Sequence, residues 1–130
     1  MILAFETHPD RIDAFHQAFL RWGAEGAIIT NSPVSFDRGL GRQPRLVLLQ
    51  SACGADDFDG NAAARRVVQS DLARSTPVVI HAHDKTAARQ MIDTLWQGGF
   101  STVGQKEFAA EPEAPFWRML KGYVEQLRAA

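Results

Sequence analysis

The chain alternates short apolar runs with longer amphipathic segments, and this alternation is the feature that most limits its fold. The apolar runs predict β-strands over residues 2–5, 27–30, 45–50 and 78–81, with a weaker one over 101–104. Strict alternation of strands and helices implies a parallel sheet covered by helices on both faces. We therefore expect one α/β domain over residues 1–130, a doubly wound five-stranded sheet of order 2-1-3-4-5 in a flavodoxin-like three-layer sandwich.

The spacing of apolar residues predicts amphipathic helices between these strands. The first helix is expected to end at Gly23, the helix after residue 60 to carry an apolar series that ends at Leu72, and Thr86 to cap the helix that follows the fourth strand. The final helix is expected to bury Phe116, Trp117, Leu120, Tyr123, Val124 and Leu127. Residues 31–44 contain two prolines and two glycines, which favours a long loop or one short helical turn.

Charge and composition narrow the classes of partner. The chain has 14 Lys and Arg against 15 Asp and Glu, a net charge of -1, which offers no bulk attraction to nucleic acid or to an anionic membrane. No apolar stretch approaches the roughly 20 residues that cross a bilayer. The single Cys53 cannot form an internal disulfide, and the N-terminus has no secretory pattern. We expect a cytoplasmic protein that binds neither nucleic acid nor membrane.

Polar residues cluster where three neighbouring strands of the predicted sheet end. In the order 2-1-3-4-5, strands 1, 3 and 4 are adjacent, and ligands of such sheets bind at the carboxyl ends of the strands. The residues at this edge are Glu6 and His8, then Gln50 and Ser51, then His81, His83 and Asp84. This edge is therefore the candidate binding site.

The histidines leave two interpretations open. His81 and His83 point to the same side of an extended backbone and can hold a phosphate, act as acid and base, or bind a transition metal with Glu6 or His8. The simpler interpretation is structural, with His81 satisfied at the end of its strand and His83-Asp84 beginning a turn. The loop after the first strand lacks the glycines of a dinucleotide or P-loop site.

Two other polar segments are assigned structural roles. Cys53 is read as a passive small residue, because residues 54–60 contain no Arg of the kind an anion-binding phosphatase loop requires. Asp56, Asp57 and Asp59 lack the ligand spacing of an EF-hand. They predict a solvated acidic loop that caps the next helix.

The segment 79–91, from Val79-Ile80-His81-Ala82-His83-Asp84 to Met91, and the later Gly98-Gly99-Phe100 carry a family likeness. With the order and size of the elements, they make the chain resemble a response-regulator receiver domain over nearly its whole length. The chain is most similar to a small receiver-like family associated with cyclic-phosphate processing. The resemblance also implies a dimer face on the fourth helix, fifth strand and fifth helix, close to Trp96.

The resemblance assigns four receiver roles, and this sequence departs from most of them. The acidic pair that holds Mg²⁺ corresponds to Glu6 with Thr7 or His8, and the phosphoacceptor aspartate corresponds to Gln50. The Ser or Thr after the fourth strand corresponds to His81 or Ala82, and the lysine after the fifth strand corresponds to Lys106 or Gln105. An amide cannot form an acyl phosphate, and Glu6 alone is a weak metal ligand.

The resemblance therefore predicts a degenerate receiver that is not switched by aspartyl phosphorylation. It is expected to have no cofactor, to lack enzymatic activity, and to act on a protein partner or by self-association through its C-terminal helices. The alternative is a small phosphate-binding protein or hydrolase that uses His8, His81 and His83 at the carboxyl edge of the sheet.

Overall fold

The computed structural model describes residues 1–82, 84–111 and 113–129. Within them, five strands alternate with five α-helices, and a short 3₁₀ turn (Ala55–Asp57) precedes the third helix. The elements are β1 (Ile2–Phe5), α1 (Pro9–Arg21), β2 (Ala27–Thr30), α2 (Pro33–Gly41), β3 (Leu46–Gln50), α3 (Gly60–Gln69), β4 (Val78–His81), α4 (Lys85–Gln97), β5 (Val103–Gln105) and α5 (Pro115–Ala129).

All strand pairs are parallel, and their order is β2-β1-β3-β4-β5, which confirms the predicted topology. β1 lies between β2 and β3, with Leu3 beside Ile28 and Val47. β3 and β4 end together, so that Gln50 lies beside His81. The carboxyl ends of β1, β3 and β4 therefore meet at one edge, as the sequence predicts.

The sheet separates two hydrophobic layers, because successive strand residues point to opposite faces. Leu3, Phe5, Val47 and Leu49 pack with the buried faces of α2, α3 and α4. Ile2, Ala4, Leu46, Leu48 and Val79 pack with the aromatic residues of α1 and α5. Helices on both faces explain why the central strands are apolar throughout.

The helix α2 corrects the expectation of a loop over residues 31–44. Ser32 caps the helix by accepting the N–H of Ser35 at 3.4 Å, and Pro33 stands in the first turn, where its missing N–H does no harm. Phe36 and Leu40 bury the helix against the core. The prediction of a loop was wrong because Pro33 lies at the start of the helix and the glycines lie in its last turn, where a helix tolerates them.

The remaining differences lie at the boundaries of elements. β5 covers Val103–Gln105 rather than residues 101–104, and β3 begins at Leu46 rather than at residue 45. α3 ends at Gln69, so the buried Leu72 lies beyond it. Asp84, rather than Thr86, caps α4, because its carboxylate accepts the Thr86 N–H at 2.8 Å. Asp59 caps α3 by accepting the N–H of Ala62 at 2.7 Å, as expected of the acidic loop. No helix in the described ranges combines the length and apolarity that crossing a membrane requires.

Candidate functional site

Glu6 stands at the exit of β1 with a fully buried side chain. Its Oε2 accepts the backbone N–H groups of Thr7 at 2.7 Å and His8 at 3.1 Å. Its Oε1 lies 3.3 Å from Nε2 of His81 and 3.7 Å from Nε of Arg11. Both oxygens of the carboxylate are thus engaged by groups of the protein itself.

These contacts keep Glu6 ionised. Burial by itself raises the pKa of the carboxyl group, since it disfavours the charged form. The close approach of the His81 imidazole, the hydrogen bonds from the N–H groups of His8 and Thr7, and the charge of His81 together outweigh burial, so the pKa of Glu6 lies below its ordinary value of 4.5. A buried negative charge therefore occupies this edge of the sheet at neutral pH.

His81 ends β4 and is also buried. Its ring centroid lies 5.8 Å from that of Phe15, 5.6 Å from that of Phe108 and 5.4 Å from that of Phe116. Such apolar surroundings strengthen the electrostatic contact between the imidazole and Glu6. They also separate the ring from solvent, where a substrate would approach.

Gln50 occupies the end of β3 and is 2 % exposed. Its amide Nε2 donates to Oγ1 of Thr7 at 2.8 Å, which joins β3 to the loop after β1. Gly60, the first residue of α3, lies directly against the backbone carbonyl of Gln50. The side-chain amide is therefore held by the loop after β1, while α3 packs against the backbone of the same residue.

The other predicted site residues lie around this buried centre. His8 is exposed, and its Nδ1 accepts the N–H of Asp10 at 3.3 Å, which caps α1. Asp84 is exposed and caps α4, and Ser51 is half-buried beyond Gln50. Lys106 is exposed after β5, and its N–H donates to the carbonyl of Ile80 at 3.1 Å. The expectation for His83 falls outside the described residues.

Sequence reasoning missed two members of the centre, Arg11 and Phe108. The guanidinium of Arg11 lies 5.2 Å from the ring centroid of Phe108 as well as near Glu6. A cation in the first turn of a helix opposes the helix dipole unless it has an anionic partner. This placement indicates an anionic partner for Arg11, but Asp10 stands in the same turn, so the sequence alone does not point to Glu6.

Comparison with known proteins identifies the fold. No family model and no curated protein matches the chain. A receiver domain of a DNA-binding response regulator from Colwellia psychrerythraea superposes with a TM-score of 0.69 at 17 % identity, covering 99 % of this chain and 98 % of that one. The fold is that of a response-regulator receiver domain.

Two further receiver domains agree with this fold. The receiver domain of a sensor histidine kinase from Pseudomonas aeruginosa, solved with magnesium coordinated in its active-site cleft, has a TM-score of 0.63 at 18 % identity over 95 % of this chain and 96 % of that one. The activated N-terminal receiver domain of RstA from Klebsiella pneumoniae has a TM-score of 0.61 at 18 % identity over 96 % and 98 %.

The residues at the carboxyl edge of this receiver fold do not fit a magnesium ion. Mg²⁺ needs several oxygen ligands in octahedral geometry. Glu6 is the carboxylate at the centre, and its oxygens already face two N–H groups, an imidazole and a guanidinium. Among the described residues, no three His, Cys, Asp or Glu side chains are grouped so that they could hold a metal.

Proposed function

We propose that this chain is a signalling domain of receiver fold that acts through protein association and accepts no phosphoryl group at the end of β3. The observation that supports this most is the amide of Gln50, buried at that position and bonded to Thr7. An amide is not a carboxylate nucleophile, so the acyl phosphate of a working receiver has no place to form. We also propose that the chain is related to the receiver-like family associated with cyclic-phosphate processing, which segment 79–91 resembles.

The electrostatics of the edge support the same conclusion. A phosphoryl group that entered beside Gln50 would bring negative charge close to the ionised Glu6 and would compete with it for Arg11 and His81, which already contact the carboxylate. Entry would also break the partly buried hydrogen bond between Gln50 and Thr7, which costs free energy.

Incubation with a small phosphodonor tests whether the chain can be phosphorylated. We expect the chain, incubated with acetyl phosphate and Mg²⁺, to keep its mass, because the position of the acceptor holds an amide. Intact mass spectrometry measures this, with the Klebsiella receiver domain phosphorylated in parallel as the positive control. An acid-labile adduct of one phosphoryl group on this chain would contradict the proposal.

The surface that we propose for association is the face formed by α4, β5 and α5. Trp96 on α4 is 54 % exposed, and exposed aromatic residues are typical anchors of protein interfaces. The same side of α4 carries the exposed ion pair Arg89–Asp93, one turn before Trp96. A second copy of this chain is the proposed occupant, and a parent that stays monomeric would favour a different partner protein instead.

A pair of matched substitutions tests that surface. We expect Trp96→Ser to weaken self-association at least about tenfold, the loss typical of an interface anchor. Leu20→Ser removes a still more exposed apolar side chain, on α1, and is expected to leave association unchanged. Sedimentation velocity of the two variants and the parent measures the effect. Equal association of the parent and Trp96→Ser would contradict the assignment of this face.

The alternative, a phosphate-binding protein or hydrolase built on the histidines, has less support. His81 is buried among aromatic rings beside Glu6, and His8 is engaged in capping α1. Neither arrangement presents an imidazole to a substrate. The outcome that would favour this alternative is turnover of a phosphate ester that His81→Asn abolishes while unfolding stays cooperative.

A further inference from the structure

A groove of about 440 Å³ runs between α1 and α5, on the opposite face of the sheet from α2, α3 and α4. We call it the α1–α5 groove. Its volume falls within the roughly 300–1,000 Å³ typical of small-molecule sites. Neither Glu6, Gln50 nor His81 lines it, so it is separate from the buried centre at the carboxyl edge.

Two tryptophans form the wall of the α1–α5 groove that faces the core. The ring centroids of Trp22 and Trp117 lie 6.2 Å apart, with planes inclined at 69°. Trp117 is held in place because its indole N–H donates to the carbonyl of Ala109 at 2.8 Å. Trp117 is 8 % exposed and supports Trp22 from the core side, whereas the half-buried Trp22 offers a flat ligand an aromatic surface.

The rim of the groove is cationic although the whole chain is slightly acidic. Arg21, Arg118 and Lys121 line it together with the single acid Glu113, which gives a formal local charge of +2 where the chain as a whole carries -1. Among the described residues, Arg21 and Arg118 form no salt bridge. Lys121 lies 3.8 Å from Glu125, but both side chains are more than half exposed, so that pair is weak.

We propose that the α1–α5 groove binds a small anion that carries an aromatic ring, and that a nucleoside monophosphate represents this class. The ring lies against Trp22, with Trp117 behind it, and the anionic group meets Arg21 and Arg118 at the rim. Planar guanidinium groups bind phosphate oxygens in pairs, and aromatic side chains stack on bases of any sequence. An aromatic anion complements this combination of a positively charged rim and a tryptophan at the wall.

The three tryptophans of the chain provide an internal readout. In a ¹⁵N–¹H correlation spectrum each indole N–H gives one signal, and AMP is the probe to titrate. We expect the Trp22 and Trp117 signals to shift saturably, while that of Trp96, on the opposite face of the sheet, stays in place. Adenosine and inorganic phosphate are titrated separately. Each is expected to bind more weakly than AMP, because adenosine lacks the phosphate group and inorganic phosphate lacks the aromatic base.

Matched pairs of arginines separate a site from general charge attraction. The Arg21→Ala/Arg118→Ala double variant is expected to bind AMP at least about tenfold more weakly, as loss of charge-assisted hydrogen bonds requires. The Arg38→Ala/Arg42→Ala double variant removes two exposed arginines of α2 and its C-terminus, and is expected to bind like the parent.

Three results overturn the proposal: no shift with millimolar AMP, equal shifts of all three indole signals, or equal weakening in both double variants. None of them bears on the acceptor position or on the α4–β5–α5 face, so this proposal and the proposed function fail separately.

Discussion

At the scale of single residues, the defining feature is a carboxylate and an imidazole buried together. Removing one member of such a pair leaves the other buried without its counter-charge, which is strongly destabilising. Glu6 does two jobs, since it binds the N–H groups after β1 and faces His81 and Arg11. The pair therefore joins the loop after β1 to β4 and α1.

The pH dependence of stability follows from the lowered pKa of Glu6. A group with a lower pKa in the folded than in the unfolded state adds stability above its unfolded value, and that stability is lost as pH falls through the folded value. We expect Glu6→Gln to destabilise the domain by about 3 kcal/mol at pH 7. The difference from the parent should shrink as pH falls below 4.5, the ordinary pKa of the group.

Urea unfolding of the parent and Glu6→Gln across this pH range measures the effect, with Asp13→Asn as the control for an exposed acid on α1. A constant difference between parent and Glu6→Gln down to the lowest pH would contradict this account of the buried carboxylate.

The position of this centre could be predicted from the sequence, but its burial could not. Glu6, Gln50 and His81 could be placed together because parallel neighbouring strands bring their carboxyl ends to one edge. Their burial could not be predicted, because it depends on how the first turn of α1 and the segment containing Phe108 lie over them. Spacing along the chain holds no information about that contact.

At the scale of elements, the close packing of helices on the sheet requires glycine at certain helix positions. Gly60 begins α3 directly beneath the end of β3, and a Cβ there would overlap the carbonyl oxygen of Gln50. Gly39 of α2 packs on Leu3 in a similar way. These glycines look like loop signals in the sequence, whereas their function is to allow close approach. This is why α2 was missed.

Two Gly→Ala substitutions separate packing from helix propensity. We expect Gly60→Ala to destabilise the domain by about 2 kcal/mol, because the backbone that it meets cannot rotate away as a side chain can. Gly122→Ala in α5 meets open space and is expected to stabilise by about 1 kcal/mol through helix propensity. Thermal unfolding of both variants tests this, and effects of the same sign would contradict it.

At the scale of the whole molecule, the topology was the most predictable property. Five strands alternating with helices leave few parallel arrangements once crossovers are right-handed, and the order 2-1-3-4-5 is the common one at this size. Whether the carboxyl edge is an open cleft or a packed centre is set by side chains from β1, β3, β4 and α1 together. The sequence identifies these side chains, but only the structure shows that they are packed together and buried.

The most direct test of the central claim, that this edge is closed and lacks an acceptor, is titration with beryllofluoride and Mg²⁺. The Klebsiella domain was solved in its BeF3-activated form, so it serves as the positive control. In ¹⁵N–¹H correlation spectra we expect the amide signals of Thr7, Gln50 and Ala82 to remain unshifted in this chain. Saturable shifts of those signals would contradict the account.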